Sequence, residues 1–101
     1  MRPVIARIWR GVVRADDAAE YIEYVRQTGI EQYRSTPGNL GAWILHRPID
    51  DTTEIVTFSL WESMESVRGF AGDDPSQAVY YPEDDRFLIE RSPTVDHYEV
   101  D

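Results

Sequence analysis

The sequence predicts an α+β domain of β-α-β-β-α-β order, the ferredoxin-like pattern of an antiparallel sheet with both helices on one face. Three observations carry this expectation. Four strand-like runs, Val4 to Val13, Leu40 to Leu45, Ile55 to Trp61 and Thr94 to Val100, punctuate the chain. A helical stripe lies between the first two, and a shorter amphipathic stretch follows Trp61. Turn clusters separate the middle strands.

Val4 to Val13 is rich in β-branched and apolar residues, the composition of a strand. Asp17 and Glu20 then have capping-box spacing, which predicts a helix start. Ala18, Tyr21, Ile22, Val25, Gly29 and Tyr33 form one apolar face at helical period, with Glu20, Glu23, Gln27, Glu31 and Arg34 largely opposite. Gly29 inside that helix marks a close approach or a kink. Thr36-Pro37-Gly38-Asn39 stops the helix, and Asp50-Asp51 sits in a hairpin turn between the second and third strands. Glu62 and Ser63 open the second helix, with Met64, Val67, Phe70 and Ala71 inward and Gly72 as its C-terminal cap. Asp74-Pro75 predicts one further helical turn through Val79. The last strand closes the pattern.

A strand covered on one face alternates apolar and polar residues, but these do not. Leu40, Ala42 and Ile44 oppose Trp43 and Leu45, and Ile5 and Trp9 oppose Val4, Ala6 and Ile8. Both faces are apolar, so the helix-free face is expected to meet a second copy, with Trp9 and Trp43 on it. A homodimer is therefore expected.

With 101 residues the chain is expected to form one domain spanning 1–101. All ten basic residues are scattered arginines against nineteen acids, for a net charge of −9. That balance argues against nucleic acid and anionic membranes and for solubility. No apolar run approaches the roughly 20 residues of a membrane span, and the start of the chain has no signal architecture. No cysteine is present, which removes disulfides, thiolate nucleophiles and zinc–sulfur sites. The expected location is cytoplasmic, and no metal site is expected.

The stretches TPGNLGAWIL at 36–45, LWES at 60–63, GFAGDD at 69–74 and AVYYPEDDRF at 78–87 resemble the dimeric α/β-barrel superfamily, in its antibiotic-biosynthesis-monooxygenase (ABM) branch. The resemblance covers nearly the whole chain and implies a homodimer of ferredoxin-like domains. It also implies cofactor-independent oxygenation of a hydrophobic aromatic or polyketide-type molecule. Two site patterns within the superfamily project onto this sequence. The quinone-forming monooxygenases place an Asn, a Trp, a Tyr and an Arg where Thr57, Trp61, Val67 and Tyr80 stand, and only the Trp is kept. The haem-degrading members place an Asn, a Trp and a His near Ile8, Phe70 and Tyr80, and none is kept. Both put a functional side chain at position 80.

The candidate site therefore comprises Tyr80 and His97 as chemical groups, with Trp61, Phe70, Ile8 and Tyr81 as substrate walls. A phenol in an apolar cavity holds or polarises a substrate oxygen; the alternative is a ring that packs and leaves its hydroxyl in water. Trp61 suits a core anchor equally well. A histidine is the natural base near neutral pH, but a lone strand histidine is commonly only hydrogen-bonded. Glu83-Asp84-Asp85 reads as a solvated acidic turn, rather than an acid–base or cation site. No GxSxG, GxGxxG or P-loop occurs. A non-catalytic binding or structural dimer is the alternative function, and haem handling a third.

Overall fold

The computed structural model describes residues 3–101. Strands β1 (Val4–Arg14), β2 (Asn39–Ile49), β3 (Thr52–Trp61), β4 (Leu88–Arg91) and β5 (Asp96–Val100) build one antiparallel sheet. The order is β2-β3-β1, and the far edge of β1 is shared by two strands. β4 pairs with Gly11–Val13 and β5 with Val4–Ile8. Helix α1 (Ala18–Val25) runs through a π-helical segment, Arg26–Ile30, into α2 (Glu31–Ser35). Helix α3 (Met64–Ala71) follows β3, and the short α4 (Asp84–Phe87) precedes β4. This is the expected α+β, ferredoxin-like arrangement. Among the described residues no helix is long and apolar enough to cross a membrane.

Local chemistry explains the element boundaries. The β2–β3 hairpin turns at Asp50, whose φ of 56° an aspartate tolerates better than most residues. Ser63 caps α3, its Oγ accepting from the Ser66 N–H at 3.2 Å, and Gly72 ends the helix at φ 88°. Gly38 also has positive φ, 90°, and a Cβ there would lie 2.1 Å from Ser66 Oγ. Its carbonyl accepts from the Glu62 N–H at 2.9 Å, tying the turn to the entry of α3. Gly38→Ala is expected to destabilise the fold by about 2 kcal/mol, from left-handed strain plus overpacking. The measurement is a lower urea midpoint at unchanged m-value.

Four expectations need correction. The Asp17–Glu20 capping box does not form. The chain already turns helically through Ala15–Asp17, so Asp17 lacks the extended backbone a cap requires. The helical turn through Val79 is absent. Pro75 and Gln77 point their carbonyls at the Arg7 guanidinium, Ser76 points its carbonyl at the Val95 N–H, and Gln77 bridges Thr94. The expected last strand, Thr94 to Val100, is present as β5 from Asp96, but an unexpected strand, β4, precedes it, and Ser92-Pro93 separates the two because proline supplies no ladder donor. Finally, Trp9 lies in the core at 7% exposure rather than on the open face. Pairing sets these faces: Trp9 stands opposite Thr57, while Ile8 stands opposite Phe58, itself opposite Trp43. Trp43, 45% exposed, does lie on the open face.

The core fills the space between the inner sheet face and the helices. Tyr33 meets both Trp61 and Phe70 edge to face there, and Tyr21, Tyr24 and Phe87 form a second aromatic group nearer α4.

Candidate functional site

Between the helices and the inner face of the sheet lies a cavity of about 30 Å³, enough for one or two waters. β1 supplies Arg7 and Trp9, β3 supplies Thr57, and the helices supply Tyr21, Val25 and Tyr33. The π-helical segment adds Thr28 and Gly29, as such segments commonly do beside functional sites. Val79, Tyr80 and Tyr81 from the irregular segment 72–83, together with Asp84 and Val95, close it.

Arg7 is the unusual member. Strand alternation sends it inward with Ile5 and Trp9, and it is 1% exposed. Its guanidinium donates to the Pro75 carbonyl at 2.5 Å and the Gln77 carbonyl at 3.3 Å, and lies 3.0 Å from His97 Nε2. Among the described residues its Nε–H has no partner. Among the described residues no carboxylate forms an ion pair with it. A buried cation is costly unless something negative accompanies it. Burial weakens its hold on the proton, but a guanidinium stays charged at neutral pH.

His97 does not line the cavity; it stands behind Arg7, across from it in the β1–β5 ladder. Burial and the Arg7 charge both push its pKa down, so it is the neutral ring that accepts from the guanidinium.

Tyr80 does line the cavity, with its hydroxyl already engaged. It donates to the Ser92 carbonyl at 2.5 Å and accepts from the Trp9 indole N–H at 3.2 Å. The Trp9 ring reaches it by folding over Gly11, where a Cβ would come within 2.5 Å of the indole. Tyr81 lines the cavity as well, its phenol pKa pushed up to about 12, chiefly by burial.

Asp84 overturns the reading of Glu83-Asp84-Asp85 as wholly solvated. Glu83 and Asp85 are exposed, but Asp84 is buried. Its Oδ1 accepts from Tyr21 OH at 3.0 Å and its Oδ2 from the Tyr81 N–H at 2.6 Å. Burial raises its pKa against the opposing pull of those donors and of Arg91.

The other expected walls lie elsewhere. Ile8 is on the opposite face of the sheet from the cavity, because its neighbours Arg7 and Trp9 point inward. Trp61 is wholly buried, its indole donating to Ser59 Oγ at 2.9 Å. Phe70 packs on Tyr33 and beneath Arg7 without reaching the cavity. Arg7 was not among the candidates read from the sequence, and Asp84 was named there only within the acidic run read as solvated. The available signal for Arg7 was a charge at the two-residue spacing of Ile5 and Trp9. For Asp84 there was none.

A sheet-and-helix layer with a cavity lined by one arginine defines an α+β domain of the ferredoxin-like class. The chain belongs to the antibiotic biosynthesis monooxygenase (ABM) family, whose model matches residues 1–80. Among solved structures it is similar to one named "Putative antibiotic biosynthesis monooxygenase from Nitrosomonas europaea". That structure is 19% identical with TM-score 0.72, and the match covers 99% of this chain and 92% of that one. A conserved protein from Methanosarcina mazei is 13% identical with TM-score 0.69, over 96% and 92% of the two chains. A haem-degrading protein from Mycobacterium tuberculosis is 20% identical with TM-score 0.65, over 99% and 93%. At these identities the similarity shows the fold. No curated protein matches the chain.

Proposed function

We propose that this protein is a homodimeric, cofactor-independent oxygenase for a hydrophobic aromatic or polyketide-type molecule that reacts as its anion. The observation that carries the proposal is Arg7, a buried cation on the cavity wall that no carboxylate ion-pairs among the described residues. A fixed positive charge away from water favours the ionised substrate far more than it would in solvent. An anthrone-type anion transfers electrons to dioxygen directly. The activated CH2 becomes C=O, one oxygen atom enters the product, and the other leaves as water with the two hydrogens. The protein supplies the charge, the apolar walls and exclusion of water.

A tricyclic substrate needs several hundred cubic ångströms, in the range of roughly 300–1,000 Å³ usual for ligand sites. Binding therefore has to displace the segment 72–83 against the contacts that hold it: Arg7 on Pro75 and Gln77, Val95 on Ser76, Ala78 on Pro93, Tyr80 on Ser92 and Trp9, Tyr81 on Asp84, and Glu83 on Tyr24. The test is oxygen uptake with anthrone, followed with the appearance of the quinone. Enzyme-dependent uptake is expected; neither uptake nor binding overturns the proposal.

A second reading, a non-catalytic ligand-binding dimer, is favoured by one observation. The Tyr80 hydroxyl is saturated by Ser92 and Trp9. Tyr80→Phe is therefore expected to lower stability by about 1 kcal/mol and turnover by less than tenfold. Saturable binding without turnover in the unmodified chain selects this second reading, whereas turnover abolished by Tyr80→Phe rules it out. A haem fits less well, since that same hydroxyl is the nearest counterpart of a proximal ligand and is already taken.

A further inference from the structure

We infer that Asp84 is the general base of this cavity, removing the substrate proton whose departure creates the anion held by Arg7. The inference rests on the oxygenase reading and adds a substrate requirement: an acidic C–H or O–H conjugated to a carbonyl. Residue 84 lies beyond the stretch matched by the family model, which ends at residue 80.

Elimination supports the assignment. The ionisable groups lining the cavity are Arg7, Asp84 and the phenols of Tyr21, Tyr33, Tyr80 and Tyr81. Arg7 cannot accept a proton. Tyr21 donates to Asp84 and Tyr80 donates to Ser92, which requires both to be protonated. Burial raises the pKa values of Tyr21 and Tyr81, keeping those phenols neutral at physiological pH. His97 is outside the cavity and faces the Arg7 cation. Among the described residues Asp84 is thus the one carboxylate lining the cavity, and its two donors favour the proton-accepting form.

The geometry suits the task. One donor on each oxygen fixes the carboxylate plane, from Tyr21 on α1 and the Tyr81 backbone, and leaves each oxygen a further lone pair. The groups acting on it are these two donors, Arg91 on β4 and Asp85 beside it; Arg7 on β1 lines the same cavity. Burial raises its proton affinity above that of a solvated aspartate, the direction that strengthens a base. In the step, the substrate proton passes to an Asp84 oxygen. The C–H electron pair remains on the substrate as the conjugated enolate, and the carboxyl releases the proton to solvent between turnovers.

A purely structural Asp84, latching α4 to α1, is the competing explanation, and the test separates the two. The full chain is incubated with anthrone in D2O without oxygen, and loss of the CH2 signal is followed by NMR, with binding measured in parallel by tryptophan quenching. Enzyme-accelerated exchange is expected, falling about a hundredfold in Asp84→Asn while anthrone binding changes by less than about threefold. Tyr21→Phe, which keeps the carboxylate and removes one of its donors, is expected to retain exchange and move the acid limb of its pH profile to higher pH. The direction follows because a donor to the ionised form holds the pKa down. If Asp84→Asn fails to fold, the Tyr21→Phe limb decides, and an unmoved limb overturns the inference. Exchange unaffected by Asp84→Asn overturns it too. Oxygen uptake without accelerated exchange overturns the base and leaves the oxygenase reading standing. The absence of binding, uptake and exchange together overturns both.

Discussion

Arg7→Met is expected to lower oxygen uptake with anthrone by a factor of about 10² to 10³, the usual cost of removing one preorganised charge-stabilising group. Methionine matches the length of the arginine stem and keeps its packing against Phe70, so the loss is mainly one of charge. The stability effect is expected to be much smaller, because two terms oppose. Removing an unpaired buried cation relieves its desolvation. Against that, the Pro75 and Gln77 carbonyls and His97 lose their donor. The loss of those tethers has its own signature, faster proteolytic nicking within 72–83 at nearly unchanged thermal midpoint. His97, no longer beside a cation, is expected to titrate at higher pH, since the Arg7 charge is one of the two causes holding its pKa down. Following the His97 ring protons by NMR tests this independently of catalysis. Turnover unchanged in Arg7→Met removes the observation on which the oxygenase reading stands.

Arg7 also shows where sequence reasoning stops. The first three strands, the hairpin and the Ser63–Gly72 limits of α3 are written locally in alternation, turn residues and caps, so they were legible, whereas the four-residue β4 was not. Which face of β1 turns inward was not. Both faces of Val4–Arg14 are apolar, and only pairing with β3 decides that Trp9 goes in with Arg7 while Ile8 goes out. The same uncertainty placed Trp9 on the open face, while Ile8 entered the pocket through the haem-degrading pattern of the resemblance. Asp84 was illegible for a different reason. Three consecutive acids look alike, and the one turned inward is chosen by Tyr21, 63 positions away. Position 80 was locatable through resemblance, yet the engagement of its hydroxyl depends on Ser92 and Trp9, which local pattern does not bring together.

Trp43→Asp is expected to convert the protein in solution from a particle of twice the 11.7 kDa chain mass to one of that mass, read by light scattering at micromolar concentration. The argument starts from the helix-free face. Trp43, Leu45, Tyr98 and Val100 are 42–56% exposed there, beside the partly buried Ile8 and Phe58. Exposed aromatic and aliphatic side chains contiguous over four strands mark an interaction surface. Trp43 is shaped for a flat contact. Its ring packs on Phe58, 5.8 Å between centroids, and folds over Gly41, where a Cβ would collide with it at 2.6 Å. At the far end of the face Glu54 draws Arg10 and Arg47 together in an ion-pair cluster, a polar rim that limits the apolar area. A carboxylate at position 43 would be buried unpaired in the interface of both copies, which costs several kcal/mol. It adds little strain to the isolated chain, where the side chain is half exposed. The charge makes a second, opposite-signed expectation. Two chains of −9 repel, so added salt is expected to tighten the association by screening, whereas an interface held by exposed ion pairs would loosen. A monomeric mass for the unmodified chain in 0.15 M salt at micromolar concentration would sink the homodimer and with it the idea that this face is covered by a second copy.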